Sequence, residues 1–155
     1  MHIRRQDASS YVLQYTTSGQ DPVYCMQERH FINKVHKKLP SSIYKWKIND
    51  AYHGGVPDCF YSGNGGLCFV EYKYKKELPK RDGTSINFNL TPQQCAWLKA
   101  RKEEGVPCFA ALGIGNLLVC TQDFDNVNNI TKSQFMRDAI NISEFVAKLE
   151  NLCVK

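Results

Sequence analysis

The chain has 155 residues, of which 43% are hydrophobic and 23% are charged, and it carries a formal net charge of +5. This composition excludes a disordered chain and a coiled coil, and the length favours a single domain with a full core. The modest basic excess is compatible with a polyanionic partner and equally with a need for solubility.

The seven cysteines do not form a recognisable disulfide or zinc pattern. Their number is odd, no C-x-x-C pair occurs, and most lie within apolar runs, where a reduced cysteine behaves as a small hydrophobic residue. We therefore expect free thiols and an intracellular, reducing compartment. The N-terminal sequence MHIRRQDASS lacks the apolar segment of a secretion signal, and no stretch approaches a membrane span, so we expect no membrane partner.

Residues 1–22 are mostly polar and predict a tail or an edge strand. Arg4 and Arg5 leave a second interpretation open, a basic arm that contacts phosphates or a partner subunit. We place the start of the folded domain at residue 23, so that residues 23–155 form one domain.

The segment Val23–Leu39 predicts the first helix, because apolar residues recur at helical spacing and Pro40 ends the run. Glu28 is the acidic residue in the middle of this helix. The helix also carries cations that form either a solvated face or a surface for a polyanion, among them Lys34, Lys37 and Lys38.

Residues 41–48 alternate between lysines on one side and Tyr44 and Trp46 on the other, which predicts a β-strand beside the elements that follow. Residues 49–55 are polar and glycine-containing, and they predict a loop. Its His53 is either an exposed loop histidine or a group that contacts substrate or transfers a proton, and Asp50 is a similar candidate.

Two runs of β-forming residues, Val56–Ser62 and Leu67–Tyr74, are separated by the sequence GNGG. Asn-Gly tolerates the positive φ angles of a primed two-residue turn, so this segment predicts a β-hairpin with Asn64 and Gly65 at its centre. With that turn, the pairing places Asp58 opposite Glu71.

The facing carboxylates are the chemical signal of the hairpin. Side chains alternate along a strand, so Lys73 shares the face of Asp58 and Glu71. Carboxylates that face each other at about 5 Å between Cβ atoms repel, and they destabilise a sheet unless a cation lies between them. Mg²⁺ suits this gap, because it takes one or two carboxylates together with water and substrate phosphate. Lys73 is then positioned to orient or deprotonate an attacking water, or to neutralise charge on a phosphate.

The segment after the hairpin is either a hydrophilic turn or a loop that follows phosphates, and its cations are Lys75, Lys76, Lys80 and Arg81. Thr91 as N-cap and Pro92 in the first turn predict a helix that runs through Glu104 and is closed by Gly105. Gln94 lies one turn into this helix.

The last third of the chain looks structural. The continuous apolar runs Val106–Ile114 and Asn116–Thr121 predict buried strands. Ser143 is the expected N-cap of a terminal helix, Glu144–Leu152, whose apolar stripe packs on the core. The whole order of elements predicts a single α/β domain with a mixed β-sheet flanked by helices.

Pro57-Asp58, a gap of twelve residues and Glu71-x-Lys73 resemble the signature of the PD-(D/E)XK nucleases. The sequences GVPD at residues 55–58, LTPQQ at residues 90–94 and GVP at residues 105–107 are similar to the VRR-NUC branch and to the phage or archaeal junction-resolving nucleases near it. The similarity spans about residues 28–112, and a phage or prokaryotic setting is compatible with it. It implies a restriction-endonuclease-like fold.

The resemblance also implies roles for individual residues. Mg²⁺, with Mn²⁺ as an alternative ion, would be held by Asp58, Glu71 and the backbone carbonyl of Tyr72. Glu28 on the first core helix would point at the metal, and Gln94 would approach as a polar positioning residue, although a solvated Glu28 and a surface Gln94 are equally open. Contacts to the DNA backbone would come from Lys34, Lys37, Lys38, His53, Lys75, Lys76, Lys80 and Arg81.

We therefore expect a Mg²⁺-dependent DNA endonuclease in which water attacks phosphorus and, by analogy with the family, a 5′-phosphate is left. A small domain without a visible specificity module resembles stand-alone structure-selective enzymes, which favours Holliday junctions or branched DNA in recombination or repair. Two cuts in a four-way junction call for a homodimer with two sites related by a twofold axis. A general duplex endonuclease, of restriction or repair type, is the alternative within this class.

Two other classes of protein stay open on the sequence alone. A non-catalytic nucleic-acid-binding module would use Tyr44, Trp46, Tyr72 and Tyr74 as a stacking platform. A cysteine hydrolase would require a Cys–His pair, which the sequence does not locate.

Overall fold

The computed structural model describes the backbone of residues 22–155 and the side chains of residues 27–155. The arm predicted for residues 1–22 lies, apart from Pro22, outside this part of the chain. None of the described helices combines the length and the apolar composition needed to cross a bilayer.

The predicted elements form in the predicted order, with several short additions in the second half of the chain. The elements are α1 (Pro22–Lys38), β1 (Tyr44–Lys47), β2 (Cys59–Ser62), β3 (Leu67–Lys75), β4 (Ser85–Ile86), α2 (Pro92–Glu103), β5 (Cys108–Ile114), β6 (Leu117–Thr121), β7 (Ile130–Thr131), α3 (Lys132–Asp138), β8 (Ile140–Asn141) and α4 (Ile142–Cys153). The strands β4, β7 and β8 have only two residues each, too few for a periodic pattern to reveal them.

Six strands form the central sheet in the order β1-β2-β3-β5-β6-β8. Strands β3 and β5 are parallel, and the other neighbours in this sheet are antiparallel. Helix α2 lies in the connection from β3 to β5, as a parallel pair requires. Strands β4 and β7 form a separate antiparallel pair. The predicted mixed sheet flanked by helices is therefore confirmed.

The two faces of the sheet carry different cores. Helices α1 and α4 cover one face, which we call the α1 face, where Phe31, Tyr72 and Phe145 are buried together. Helix α2 and the segment that contains α3 cover part of the other face, the α2 face, where Leu98 and Phe135 are buried. Because side chains alternate along a strand, β3 directs Tyr72 to the α1 face and its neighbours Glu71 and Lys73 to the α2 face.

The register of the hairpin agrees with the prediction at its outer end, where Ser62 pairs with Leu67. The paired part of β2 begins only at Cys59, opposite Val70, so Asp58 precedes the strand instead of lying within it. The Asp58 carbonyl accepts a hydrogen bond from the Ile48 amide at 2.7 Å. Asp58 therefore lies directly before β2, and its backbone is still hydrogen-bonded to the residue that follows β1.

The primed turn predicted for Asn64 and Gly65 is wrong, because neither residue has a positive φ angle. The C-terminal end of the chain holds the loop instead. The Gly65 amide donates to the Cys153 carbonyl at 2.8 Å, and Asn64 Oδ1 accepts from the Lys155 amide at 3.0 Å. These tertiary hydrogen bonds override the local preference of the Asn-Gly pair.

The helix caps were only partly predicted. Helix α2 has the expected N-cap Thr91, which forms a capping box with Gln94. Helix α4 begins earlier than predicted, and its N-cap is Asn141, not Ser143. Asn141 Oδ1 accepts from the Glu144 amide at 2.9 Å, and Glu144 Oε2 accepts from the Asn141 amide at 2.8 Å. This reciprocal pair satisfies two backbone donors that a Ser143 cap would leave unpaired.

Alanine substitution of Asn141 and of Ser143 distinguishes the two candidates for the N-cap of α4. We expect Asn141→Ala to lower the free energy of unfolding by about 1 kcal/mol, because an exposed helix N-terminus loses its side-chain acceptor. Ser143→Ala is the matched control, since Ser143 is exposed, and it changes stability by less than about 0.5 kcal/mol. Urea unfolding monitored by circular dichroism measures both, and an equal loss in the two variants would contradict the assignment.

Candidate active site

The predicted acidic residues meet where β2 begins, beside the middle of β3 and the first turn of α2. Hydrogen bonds connect Glu71 to Gln94 and to Lys73. Asp58 and Glu28 are close enough to this group for their charges to influence one another. The five residues predicted to be catalytic therefore converge on one place.

Asp58 is held by two hydrogen bonds. Its Oδ1 accepts from Lys47 Nζ at 2.9 Å, and its Oδ2 accepts from the Tyr72 amide at 2.9 Å. The N–H and C=O groups of one strand residue point to the same strand edge, so the Tyr72 carbonyl lies on the Asp58 side of β3. It also lies beyond the last pair of the β2–β3 ladder, Cys59 and Val70. The Tyr72 carbonyl and the Asp58 carboxylate, both predicted to bind the metal, therefore lie at the same edge of β3.

Glu71 and Lys73 form a buried ion pair, in which only 1% and 5% of the two residues are exposed. Glu71 Oε1 lies 3.2 Å from Lys73 Nζ and accepts a hydrogen bond from Gln94 Nε2 at 2.5 Å. Burial, and next the charge of Asp58, raise the pKa of Glu71 well above its usual range, although Lys73 opposes this. Glu71 is therefore a carboxylate whose charge depends on cations around it.

Lys73 is a cation in this arrangement. Burial by itself lowers the pKa of Lys73, but the charges of Glu71, Glu28 and Asp58 outweigh it and raise the pKa above its ordinary value. Of the three roles that the sequence suggested, orienting a water and neutralising charge on a phosphate fit an ammonium group, and deprotonating a water does not.

Glu28 projects from α1 towards the same group. Burial, and next the charge of Asp58, raise the pKa of Glu28 to about 7, while Lys73 and Lys47 act in the opposite direction. Glu28 is half-buried and lies within the influence of these charges, which favours the site interpretation over a solvated helix residue. At neutral pH both protonation states of this carboxyl group are populated.

Sequence reasoning missed Lys47, although it predicted the strand that contains it. Burial lowers the pKa of Lys47, but the charge of Asp58 and their hydrogen bond raise it by more, so the side chain stays charged. Its position depends on the pairing of β1 with β2, in which Lys47 lies opposite Cys59, next to Asp58. The alternation of residues 41–48 predicted a lysine side of the strand, but the register that puts Lys47 beside the acid is a property of the sheet.

The loop before Asp58 packs on the first turn of α2. Gly55 has a φ of 86°, and a Cβ atom there would collide with the backbone of Gln93. Only glycine allows this approach, which brings Asp58 and Gln94 to the same site. His53 in this loop is exposed, and its Nδ1 lies 2.8 Å from Asp50 Oδ2. The His53–Asp50 pair is thus part of the loop and makes no hydrogen bond to Asp58 or Glu71 among the contacts described.

The predicted DNA-binding cations are spread over two regions. Lys34 Nζ donates to Asn116 Oδ1 at 2.9 Å, near the β5–β6 turn, and Lys37 and Lys38 are exposed in the last turn of α1. The second region is the segment that leaves β3 directly after Lys73. In it Lys75 is half-buried, and the exposed cations are Lys76, Lys80 and Arg81.

The donor atoms fit a Mg²⁺ ion in number and kind. Across residues 27–155, no three His, Cys, Asp or Glu side chains are arranged as a metal-binding group. Mg²⁺ requires only one or two carboxylates and oxygen donors, which Asp58, Glu71 and the Tyr72 carbonyl provide. The charge of Asp58 destabilises ionised Glu71, and a divalent cation between them would relieve this repulsion. Lys47 would have to release the Asp58 oxygen that it holds here.

The sequence also suggested a non-catalytic nucleic-acid-binding module that stacks bases on Tyr44, Trp46, Tyr72 and Tyr74, and these four residues do not form one surface. Tyr72 is fully buried on the α1 face, because it alternates with Glu71 and Lys73 along β3. Tyr44 and Trp46 are exposed.

A Cys–His pair does form, but its environment does not suit nucleophilic catalysis. Cys59 Sγ lies 3.8 Å from His36 Nε2, and Cys59 is fully buried. Burial raises the pKa of the Cys59 thiol to about 12, whereas a cysteine nucleophile needs a lowered pKa.

Comparison with known proteins identifies the fold. No protein-family model matches this sequence, and a search of curated proteins gave no match. Among solved structures, the chain is similar to Hjc, a Holliday junction resolvase from the hyperthermophilic archaeon Archaeoglobus fulgidus, with a TM-score of 0.52 and 17% sequence identity. The match covers 80% of this chain and 98% of that chain. At this identity the likeness concerns the fold alone.

The electrostatics of the site predict how Glu28 affects stability. Its pKa is about 7 in the folded protein, above the ordinary value of 4.5, so its contribution to stability is fully present below about pH 4.5 and is lost as the pH rises through 7. Glutamine cannot ionise, so we expect Glu28→Gln to raise the free energy of unfolding at pH 8 by roughly 1–2 kcal/mol relative to its effect at pH 5. Urea unfolding at both pH values measures the difference.

The control for this experiment is Glu103→Gln, which removes an exposed carboxylate at the end of α2. We expect this variant to show no such difference between pH 5 and pH 8. A Glu28→Gln protein whose stability relative to the wild type is the same at pH 5 and at pH 8 would contradict the raised pKa of Glu28.

Proposed function

We propose that this protein is a Mg²⁺-dependent DNA endonuclease that hydrolyses phosphodiester bonds and prefers branched DNA such as Holliday junctions. The observation that carries the proposal is the convergence of Asp58, Glu71 and Lys73 at the start of β2, within a fold similar to that of a junction resolvase. Buried like charges that destabilise the fold indicate a site kept for chemistry.

Asp58, Glu71 and the Tyr72 carbonyl would hold the ion, with Glu28 as a further acidic group beside them. When bound, Mg²⁺ supplies positive charge at the phosphate and lowers the pKa of water. Gln94 fixes the orientation of the Glu71 carboxylate through its 2.5 Å hydrogen bond. Lys47 holds Asp58 and would give up this contact when the ion binds.

Hydrolysis requires that charge on the phosphate be neutralised and that the attacking water lose a proton. Lys73 is the ammonium group beside Glu71, and it suits the first task because it stays protonated. Glu28 suits the second, since it is a further carboxyl group beside the acids that would hold the ion.

The chain offers cations along a path away from this site. Lys76, Lys80 and Arg81 follow β3 directly and are exposed, so they suit phosphates on one side of the scissile bond. The cations of α1 form a second region, and its exposed members Lys37 and Lys38 would contact phosphates farther from the scissile bond. His53 is exposed in the loop before Asp58 and is a further candidate for a phosphate contact.

Of the two branches that the sequence motifs resemble, the fold comparison favours the junction-resolving nucleases over the VRR-NUC proteins. A junction substrate and a role in recombination or repair follow from that preference. A homodimer follows as well, because two symmetric cuts require two sites.

Substitution in the site tests the catalytic assignment. We expect Asp58→Asn and Lys73→Ala each to reduce cleavage of labelled DNA by at least about a hundredfold, because a metal ligand or the neutralising charge is lost. DNA affinity measured in EDTA stays within about threefold of the wild type, since cation contacts elsewhere supply it. EDTA also abolishes cleavage by the wild-type protein.

Two control variants match these substitutions in charge. Asp125→Asn and Lys148→Ala alter exposed residues and leave cleavage unchanged. Thermal unfolding of each variant establishes that it is folded. A folded Lys73→Ala protein with wild-type activity would contradict the catalytic role of Lys73.

The choice of DNA tests the substrate. We expect paired, symmetric cuts at the branch point of a four-way junction in Mg²⁺, and at least about tenfold slower cutting of a linear duplex of the same sequence. A bent, open branch point lets one protein surface contact more than one arm, which a linear duplex does not offer. Equal rates on the two substrates would favour a general duplex endonuclease and overturn the junction preference.

A further inference from the structure

The α2 face carries a row of aromatic rings that the proposed reaction does not use. Trp46 lies opposite Phe60 in the β1–β2 pair, and Phe60 lies opposite Phe69 in the hairpin. The ring centroids are 6.5 Å apart from Trp46 to Phe60, 5.0 Å from Phe60 to Phe69 and 5.2 Å from Phe69 to Trp97 on α2. We call these four residues the aromatic row. It runs across the sheet from its edge strand to helix α2.

The outer end of this row is open to water. Trp46 is 51% exposed, and Tyr44, which also contacts Phe60, is 62% exposed. Leu67 on the same face of β3 is 40% exposed. Tyr44 and Trp46 both contact Phe60, so the exposed rings form one patch, and contiguous apolar patches mark sites of interaction.

The aromatic row lies beside the acidic residues. Glu71 is two residues after Phe69 on the same face of β3. Asp58 comes directly before β2, two residues before Phe60, and accepts a hydrogen bond from the Tyr72 amide next to Glu71. Two residues along a strand span about 7 Å. A nucleotide next to a phosphate held at Asp58 is therefore within reach of Trp46.

The size of the surface argues against a second copy of this chain as its occupant. Three half-exposed apolar side chains present only a few hundred Å², whereas a stable interface buries about 800 Å² on each partner. Two exposed rings instead match the dimensions of one or two nucleobases. A cation lies at the inner end of the row, because the Arg101 guanidinium is 5.4 Å from the centre of the Trp97 ring. Aromatic rings beside positive charge are typical of surfaces that bind single-stranded nucleic acid.

We propose that Trp46 and Tyr44 stack on unpaired bases of the DNA strand next to the scissile phosphodiester. Base pairs inside a duplex do not offer their faces, so this contact favours DNA with unpaired nucleotides, such as flaps, gaps and open branch points. The position of the strand rests on the proposed function, but the stacking itself does not require cleavage.

Tryptophan fluorescence tests the stacking without any reaction. The chain has two tryptophans, and the spectrum of the wild type minus that of Trp46→Ala reports on Trp46. The probe is a short oligothymidylate in EDTA. We expect it to quench the Trp46 signal, and we expect the affinity for it to fall about tenfold in Trp46→Ala and in Tyr44→Ala. Trp46→Phe restores most of the affinity, because a flat ring remains.

The matched control is Met136→Ala, which removes a side chain that is 49% exposed on α3, and it leaves the affinity for the oligonucleotide unchanged. Duplex affinity stays within about twofold in all these variants, because phosphate contacts dominate it. An equal loss for duplex and for oligothymidylate would show a general DNA contact and overturn the stacking. Quenching of Trp46 that grows with protein concentration in the absence of DNA, together with a dimer that Trp46→Ala converts to a monomer in light scattering, would assign the surface to a second copy and overturn the stacking as well.

A cleavage assay separates this inference from the proposed function. With Mg²⁺, we expect Trp46→Ala to cut a flap substrate about tenfold more slowly than the wild type and a linear duplex at the wild-type rate. Unchanged cutting of the flap would overturn a stacking role in catalysis. A wild-type protein that cuts no DNA but shows the Trp46 quenching supports the stacking surface and rejects the nuclease.

Discussion

Repulsion between carboxylates in a partly buried place is the interaction on which this structure depends. Asp58 and Glu71 raise each other's energy when both are charged, and Glu28 adds a third acid. Lys47 and Lys73 each hold one carboxylate, which keeps the group together without removing the strain. Well-packed apolar residues would serve stability at least as well as buried ion pairs. The arrangement is compatible with the proposed binding of a divalent cation, which uses concentrated negative charge.

Tyr72 links the acidic group to the opposite core. Its backbone faces Asp58, while its side chain is buried on the α1 face, where its hydroxyl lies 2.8 Å from that of Tyr61. The Tyr61 hydroxyl in turn lies 2.9 Å from His36 Nε2 on α1, the helix that carries Glu28. This chain of hydrogen bonds fixes α1 relative to β3. The position of Glu28 beside Glu71 thus depends on a polar connection through the sheet, on the side away from the chemistry.

Helix α2 has a similar double task. Its first turn holds Glu71 through Gln94, and its next turn packs Trp97 on Phe69. The acids and the aromatic row are therefore aligned by one rigid element, whose start is set by the Thr91 capping box and by the close approach of Gly55. A strand of nucleic acid that lies along this face would meet rings and carboxylates in a fixed order.

The sequence by itself determined the order of the long elements, the hairpin register and the group Asp58, Glu71 and Lys73, because strand alternation and helical periodicity are local properties. It also determined the Thr91 cap, since a capping box lies within four residues. Only the tertiary structure decided that Lys47 holds Asp58, that Glu28 is half-buried near the other acids and that Tyr72 is not a stacking surface, because these depend on strand pairing and on which face each helix covers. The Asn64-Gly65 turn failed for the same reason, as hydrogen bonds to Cys153 and Lys155 outweigh a preference confined to two residues.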